Sequence, residues 1–334
     1  MKPIPPQVAL HDGGRPLPAL PPCVHYAGSE RFIRKALALQ AGRGPDFDIA
    51  CDCEDGAPIG GERAHAATMA ALIGGPDNRH GRVGARVHDV HHAAWQTEVD
   101  VLLDGAGDRL AFLTLPKAGG VADVERFLAH VADRVAHLGL HRAVPVSVLI
   151  ETPGALHDAW RIAALPGIVS LDFGLMDFVS AHYGAIPDSA MASPGQFEHP
   201  LVVRAKCEIA QAALAHGVVP AHNVTRALDD PDLVHADARR ARDDFGYLRM
   251  WSIHPAQIDP IVQAMRPADL EVEVAAAILA AAQDADWAPL RIDGELHDRA
   301  SYRQAWTLVR RAHAAGIPLP ARAAAYFEAD AQAR

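Results

Sequence analysis

Short apolar runs separated by longer stretches of helical spacing recur along this chain, and that alternation limits its possible folds more than any other feature. The runs fall near residues 22–27, 47–53, 83–88, 111–116, 145–150, 169–174, 218–223 and 249–254. Stretches between them, such as 121–137 and 200–216, carry apolar residues three and four apart, the pattern of a helix with one buried stripe. Strict alternation predicts a parallel sheet with right-handed crossovers. Eight units of this length fit a closed (β/α)8 TIM barrel over residues 1–266. A doubly wound open sheet would want a glycine fingerprint after its first strand, where Gly28 stands nearly alone. Residues 267–334 fall outside the eight units as a C-terminal helical extension, expected to pack as an appendage or on a neighbouring subunit. Helical patterns near 270–283 and 300–314 flank Leu290–Arg299, which reads as a hairpin or turn with Asp293-Gly294 at its tip.

Composition narrows the function classes. The net charge of -10, from 31 basic and 41 acidic residues among 334, leaves no electrostatic footprint for nucleic acid or an anionic membrane. No apolar run approaches the roughly 20 residues of a membrane span. Met1-Lys2-Pro3-Ile4-Pro5-Pro6 lacks the apolar stretch of a secretory signal. The four cysteines are too few for a disulfide framework, so a reducing cytoplasm is expected. Cys51 and Cys53 share one strand face and read as packed thiols rather than zinc ligands.

A barrel gathers its chemistry at the C-terminal ends of its strands, and those positions are unusually polar here. They carry His25 and Tyr26, Glu54 and Asp55, Arg86 and His88, Lys117, Glu151, Asp177, His222 and Asn223, and His254. Glu151 and Asp177 sit at the exits of successive apolar strands. As a pair they can share one hard divalent cation such as Mg2+, which takes oxygen ligands and usually only one or two carboxylates. Arg86, inside an apolar strand, needs a ligand or a carboxylate partner because burial without one is expensive. Lys117 reads better as an ion-pair partner of Glu54 or Asp55 than as a Schiff-base lysine. His254 reads as a structural histidine. The Pro/Gly-rich stretch 184–200 is long for a loop without function, and a lid is one reading of it.

Taken in order, these motifs resemble the citrate lyase β-subunit-like family, within the HpcH/HpaI aldolase and citrate lyase superfamily, from about residue 22 to 315. Asp52-Cys53-Glu54-Asp55-Gly56-Ala57 is similar to its Asp-Leu-Glu-Asp-Ala-Val, and Ala85-Arg86-Val87-His88 to its Val-Arg-Val-Asn. Leu115-Pro116-Lys117 and Leu149-Ile150-Glu151-Thr152 match its Leu-Pro-Lys and Ile-Glu-Thr. Gly174-Leu175-Met176-Asp177 resembles Gly-x-x-Asp, and Trp251-Ser252-Ile253-His254-Pro255-Ala256-Gln257-Ile258 resembles Trp-x-Ile-His-Pro-x-Gln-Ile. Asp293-Gly294-Glu295-Leu296-His297-Asp298 looks like Asp-Gly-x-Met-Ile-Asp.

The resemblance implies a Mg2+-dependent (alternatively Mn2+-dependent) carbon–carbon lyase, often acting on CoA thioesters of short hydroxy acids. It assigns Glu151 and Asp177 to the metal, and Arg86 to the substrate carboxylate or carbonyl. Glu54 and Asp55 would orient metal-bound water or the substrate hydroxyl. Asp298 would be an acid/base from an adjacent subunit, implying a homotrimer or a multiple of it. Backbone donors around Gly174 and Met176, with Lys117, complete the substrate-binding set.

Three departures accompany the match. The first strand lacks the family's arginine, with His25 placed to compensate. His88 replaces an asparagine, and Ala118-Gly119 replaces the Val-Glu after the lysine. Three functions are compatible with these residues: a citryl-CoA or malyl-CoA type lyase, a metal-dependent aldolase acting on a free 2-keto acid without CoA, and a barrel that binds metal and ligand without turnover. Arg31, Arg34, Lys35, Arg204 and Lys206 are the basic candidates for the CoA phosphates.

Overall fold

Eight parallel strands close on themselves in the computed structural model, each paired with the next and the last with the first. They are β1 (Cys23–Ala27), β2 (Phe47–Asp52), β3 (Val83–Arg86), β4 (Leu110–Leu115), β5 (Val146–Ile150), β6 (Ile168–Phe173), β7 (Val219–His222) and β8 (Arg249–Ser252). The helices, in chain order, begin with α1 (Pro6–Ala9), α2 (Glu30–Arg43), α3 (Glu62–Gly74), α4 (Trp95–Ala106) and α5 (Val121–Leu138). They continue with α6 (Pro153–His157), α7 (Ala159–Ala164), α8 (Leu175–Ser180), α9 (Pro200–Ala215), α10 (Pro231–Phe245) and α11 (Ile258–Met265). Last come α12 (Asp269–Asp284), α13 (Arg299–Ala314) and α14 (Ala321–Ala331). The described residues are 4–10, 13 and 17–331, so the Met1-Lys2-Pro3 segment lies outside them. They divide into one unit over Leu20–Met265 and a second made of those before Leu20 and those from Arg266 on. Among them, no helix is long and apolar enough to cross a membrane.

Strand alternation sorts the barrel residues into two layers. Cys23, Phe47, Ile49, Cys51, Val148 and Leu171 join the core under the surrounding helices. Val24, Ala50, Phe112, Ala221 and Trp251 form a separate cluster inside the ring. Gly84 is required there: a Cβ on it would come within 2.6 Å of the Phe112 ring. Strand β3 stops at Arg86, two residues short of the sequence expectation, because the His88 N–H turns to the Glu98 carboxylate (2.9 Å) instead of the ladder. Cys51 and Cys53 are buried and free, as packed thiols should be.

The second unit has its own core of Leu279, Trp287, Tyr302, Val309 and Tyr326. It contains an antiparallel hairpin, β9 (Leu290–Ile292) with β10 (Glu295–His297). Asp293 and Gly294 at its tip have φ of 49° and 91°, the paired positive values that a two-residue type I′ turn requires.

Asp48 and Arg249 meet across the inside of the barrel at 2.5 Å, each side chain only 2% exposed. Burial raises the Asp48 pKa despite this partner, so the pair costs much of what it returns. Asp48→Ala should therefore lower unfolding free energy by about 3–5 kcal/mol by stranding a buried guanidinium, whereas Asp48→Leu with Arg249→Met should recover most of that loss. Chemical denaturation of the two variants checks this.

Candidate active site

Asp52, the last residue of β2, organises one side of the barrel mouth. Its carboxylate accepts from Tyr26 Oη at 2.8 Å, from the backbone N–H of Glu54 at 3.1 Å and from that of Gly56 at 2.7 Å. In strand register it faces Arg86, which donates to it through Nε at 2.8 Å and Nη2 at 3.0 Å. Burial alone would raise the Asp52 pKa, but the Arg86 bonds and charge, helped by Tyr26 and Gly56, outweigh it and hold the carboxyl below its usual value.

Arg86 reaches on to Glu54 at 2.8 Å, and Lys117 spans Glu54 at 2.5 Å and Asp55 at 2.9 Å. Burial works against the Lys117 charge, yet these two carboxylates prevail and raise its pKa. A neutral Schiff-base amine does not fit that setting. Lys117 also adopts a left-handed backbone, φ 48°, and its N–H donates to Glu151 Oε1 at 2.6 Å.

Glu151 follows β5 directly and is 2% exposed. The next residue fixes the exit: Thr152 Oγ1 accepts from the Ala155 N–H at 3.0 Å, capping α6, and donates to the Ala118 carbonyl at 2.6 Å. Pro153 at the first helical position suits that cap. Burial, then the charge of Asp177, raises the Glu151 pKa to about 8. Gly174 makes room for it, since a Cβ there would lie 2.2 Å from Glu151 Oε2.

Glu151 and Asp177 line one cavity of about 280 Å³ with Asp55, Arg86, Gly174, Met176 and Arg226. Tyr26, Leu149, Phe173, Met191, Asn223, Val224 and Trp251 complete most of the wall. Among the described residues, no cationic side chain forms an ion pair with Glu151 or Asp177. Among the same residues, no group of three or more His, Cys, Asp or Glu side chains is arranged to hold a metal. Two unneutralised acids with room for solvent or substrate oxygens suit Mg2+, which keeps several waters beside one or two carboxylates. The same set is poor for zinc, which prefers a full complement of protein ligands.

Six of the sequence candidates thus share the cavity: Asp55, Arg86, Glu151, Gly174, Met176 and Asp177. Glu54 and Lys117 stand behind them as ion-pair partners. His25 does not join them. The strand period sends it to the outer face of β1, 3% exposed, bonded through Nδ1 to Ser252 Oγ at 2.9 Å, and Tyr26 takes the mouth position instead. Burial and the nearby His254 lower the His25 pKa to about 4. Asp298 belongs to the second unit, where it is exposed and caps α13 through the Ala300 N–H at 2.8 Å.

Lys206 is wholly buried and donates to Asn223 Oδ1 at 2.6 Å, so it is not exposed to meet a CoA phosphate. His254 caps the turn after β8, accepting from the Ala256 N–H at 3.3 Å. The 184–200 stretch forms wall rather than a free lid. Its Ser193 and Gln196 both donate to Asp237 of α10, Gln196 at 3.0 Å, and its Met191 lines the cavity. Sequence reasoning passed over Asp52 and Arg226. Counting alternate positions from Ala50 would have turned Asp52 inward; Arg226 sits on a loop, where no period applies.

Because Arg86 keeps Glu54 when Asp52 is lost, Asp52→Asn should cost about 1.5–3 kcal/mol at pH 7. A carboxyl held below its unfolded pKa stabilises the fold above that pKa and ceases to do so as pH falls through the folded value. The gap between wild type and Asp52→Asn should therefore narrow below about pH 4. Urea denaturation from pH 7 down to 3.5 measures it.

The profile of the HpcH/HpaI aldolase/citrate lyase family matches residues 41–255. An L-malyl-CoA/beta-methylmalyl-CoA lyase from Cereibacter sphaeroides is 30% identical over 244 residues, covering 69% of this chain and 76% of that protein. The crystal structure of a citrate lyase from Burkholderia xenovorans is 52% identical, with a TM-score of 0.88 over 97% of this chain and 100% of its own. CitE from Mycobacterium tuberculosis, solved with magnesium, acetoacetate and coenzyme A, shares the fold at 22% identity, with a TM-score of 0.67 over 88% of this chain and 99% of its own.

Proposed function

The chain belongs to the HpcH/HpaI aldolase/citrate lyase family, and on that premise we propose that it is a Mg2+-dependent carbon–carbon lyase. Its substrate is a short hydroxy-acyl thioester of the malyl-CoA or citryl-CoA kind, cleaved or, in reverse, condensed. The observation that carries this reading is the pair of acids, Glu151 and Asp177, lining one cavity with neither held in an ion pair among the described residues. The kinship with L-malyl-CoA/beta-methylmalyl-CoA lyase at 30% identity supports the thioester over a free keto acid.

Glu151 and Asp177 would hold the cation. When bound, it supplies Lewis-acid polarisation of a chelating keto or hydroxy acid. Every other task falls to side chains and amides of this protein. A carboxylate takes the proton of the substrate hydroxyl as the carbon–carbon bond breaks. The bonding electron pair moves onto the thioester carbonyl as an enolate, which is then protonated at carbon. Asp55, in the cavity wall and tied to Lys117, is one candidate for proton transfer. Asp298 of a neighbouring copy in a homotrimer is the other. Arg86 and the backbone donors from Leu175 to Asp177, at the start of α8, are the groups available to the developing negative charge. Arg86 is suited to that work because Asp52 and Glu54 fix its guanidinium before substrate arrives.

Glu151→Gln and Asp177→Asn should each abolish Mg2+ binding by calorimetry together with turnover. Asp55→Asn or Asp298→Asn, at whichever residue moves the proton, should cost about 10²–10⁴-fold in kcat with Mg2+ affinity unchanged. The assay follows malyl-CoA and citryl-CoA by chromatography. Release of acetyl-CoA with a keto acid supports the lyase; release of free CoA with the intact acid would make the protein a thioesterase and sink the proposal.

A further inference from the structure

Two cations line the cavity, Arg86 and Arg226, and they stand in different circumstances. Arg86 is 13% exposed and already held by Asp52 and Glu54. Among the described residues, Arg226 has one ion pair, to Asp188 at 3.2 Å, with the two side chains 40% and 76% exposed. An exposed pair of this sort is worth little, so a ligand can displace it at small cost.

The backbone on either side of Arg226 is nevertheless fixed. The buried Gln257 amide donates to the carbonyls of Thr225 and Ala227, both at 2.9 Å. Its own oxygen accepts from the N–H groups of Ile253 and His254 at 2.9 and 3.3 Å. Thr225 Oγ1 donates in turn to Asp237 at 2.7 Å. A side chain held at its tip only by an exposed, displaceable pair, on a backbone clamped at both flanks, is preorganised for a ligand.

The remaining side-chain donors of the wall are already used. Trp251 Nε1 donates to Asp172 at 2.9 Å, and Tyr26 Oη to Asp52. Asn223 Nδ2 is shared between Gln196 and the Val224 carbonyl, both at 2.9 Å. The side chains of Leu149, Phe173, Met176, Met191 and Val224 offer an anion no donor.

Topology sets the direction. β3 and β7 lie four strands apart in the eight-strand ring, so Arg86 and Arg226 approach the cavity from opposite sides, with Glu151 and Asp177 contributed between them after β5 and β6. We propose that Arg226 selects substrates bearing a second carboxylate, remote from the one held at the Glu151–Asp177 site, through a charge-assisted pair with its guanidinium. This deepens, and rests on, the lyase reading. A cavity of about 280 Å³ suits a short dicarboxylic acid better than the nucleotide end of a CoA thioester.

Thermal-shift titrations in Mg2+ with oxaloacetate, pyruvate and CoA test it on wild type, Arg226→Ala and Arg226→Lys. Arg226→Ala should weaken oxaloacetate about 10- to 100-fold while leaving pyruvate within about twofold, and Arg226→Lys should restore part of the loss. Unchanged pyruvate binding also certifies that the variant is folded. Equal loss of both acids, or loss of neither, overturns the assignment of Arg226. Weakened CoA binding with oxaloacetate unaffected makes the anion a phosphate and overturns the dicarboxylate assignment. If wild-type protein in Mg2+ binds neither acid and does not bind glyoxylate, the keto acid a malyl-CoA lyase would release, the lyase reading itself fails, an outcome distinct from all of these.

Discussion

A carboxylate removed from water beside a second acid is the constraint around which the barrel mouth is arranged. Glu151 has its own charge disfavoured by burial and again by Asp177. The fold answers with one backbone donor, the Lys117 N–H, and secures it by holding Lys117 in a left-handed conformation that a side-chain-bearing residue adopts only at a cost. It leaves out the Cβ of residue 174, which would occupy the same space as the glutamate. It sends the nearby cations elsewhere, Arg86 to Asp52 and Glu54, Lys117 to Glu54 and Asp55. The absence of an ion pair at either acid, among the described residues, is therefore a product of the arrangement, and the proposed Mg2+ site rests on it.

That division of charges runs through the whole mouth. Asp52 gathers five donors onto one carboxylate, two of them from Arg86, which is so tied although it borders the cavity. Further round the ring the polar network of Gln196, Asp237, Thr225 and Gln257 does for the loops what Asp52 does for Arg86. It converts a long Pro/Gly-rich connection into fixed wall. Rigid supports behind a few unpaired groups are what a binding site built on loops needs, since free loops lose ordering entropy on every binding event.

Much of this was legible before any coordinates. The barrel followed from the alternation of short apolar runs with amphipathic stretches, and the C-terminal hairpin from Asp293-Gly294 alone, because few sequences tolerate two successive positive φ values. Strand exits located Asp55, Arg86, Glu151, Gly174 and Asp177 to a common rim. His25 was misjudged for a one-residue reason. Near a strand end, neighbours face opposite sides, and Tyr26 rather than His25 turns inward. Lys206 was misjudged because a lysine on an amphipathic helix reads as solvated, and its burial against Asn223 and His222 depends on contacts with distant strands.

The order of residues by itself determined the strand count, the rim and the chemical type of the groups on it, because periodicity and short-range backbone preference are local properties. Which of those groups are neutralised and which are left bare was decided only by the closed ring. Charge balance depends on distances of a few ångströms between residues such as Asp52 and Arg86, or Gln257 and Thr225, that are separated by 34 and 32 positions along the chain. No local pattern encodes those distances, and the weak hold on Arg226 and the placing of Glu151 with Asp177 in one cavity follow from them.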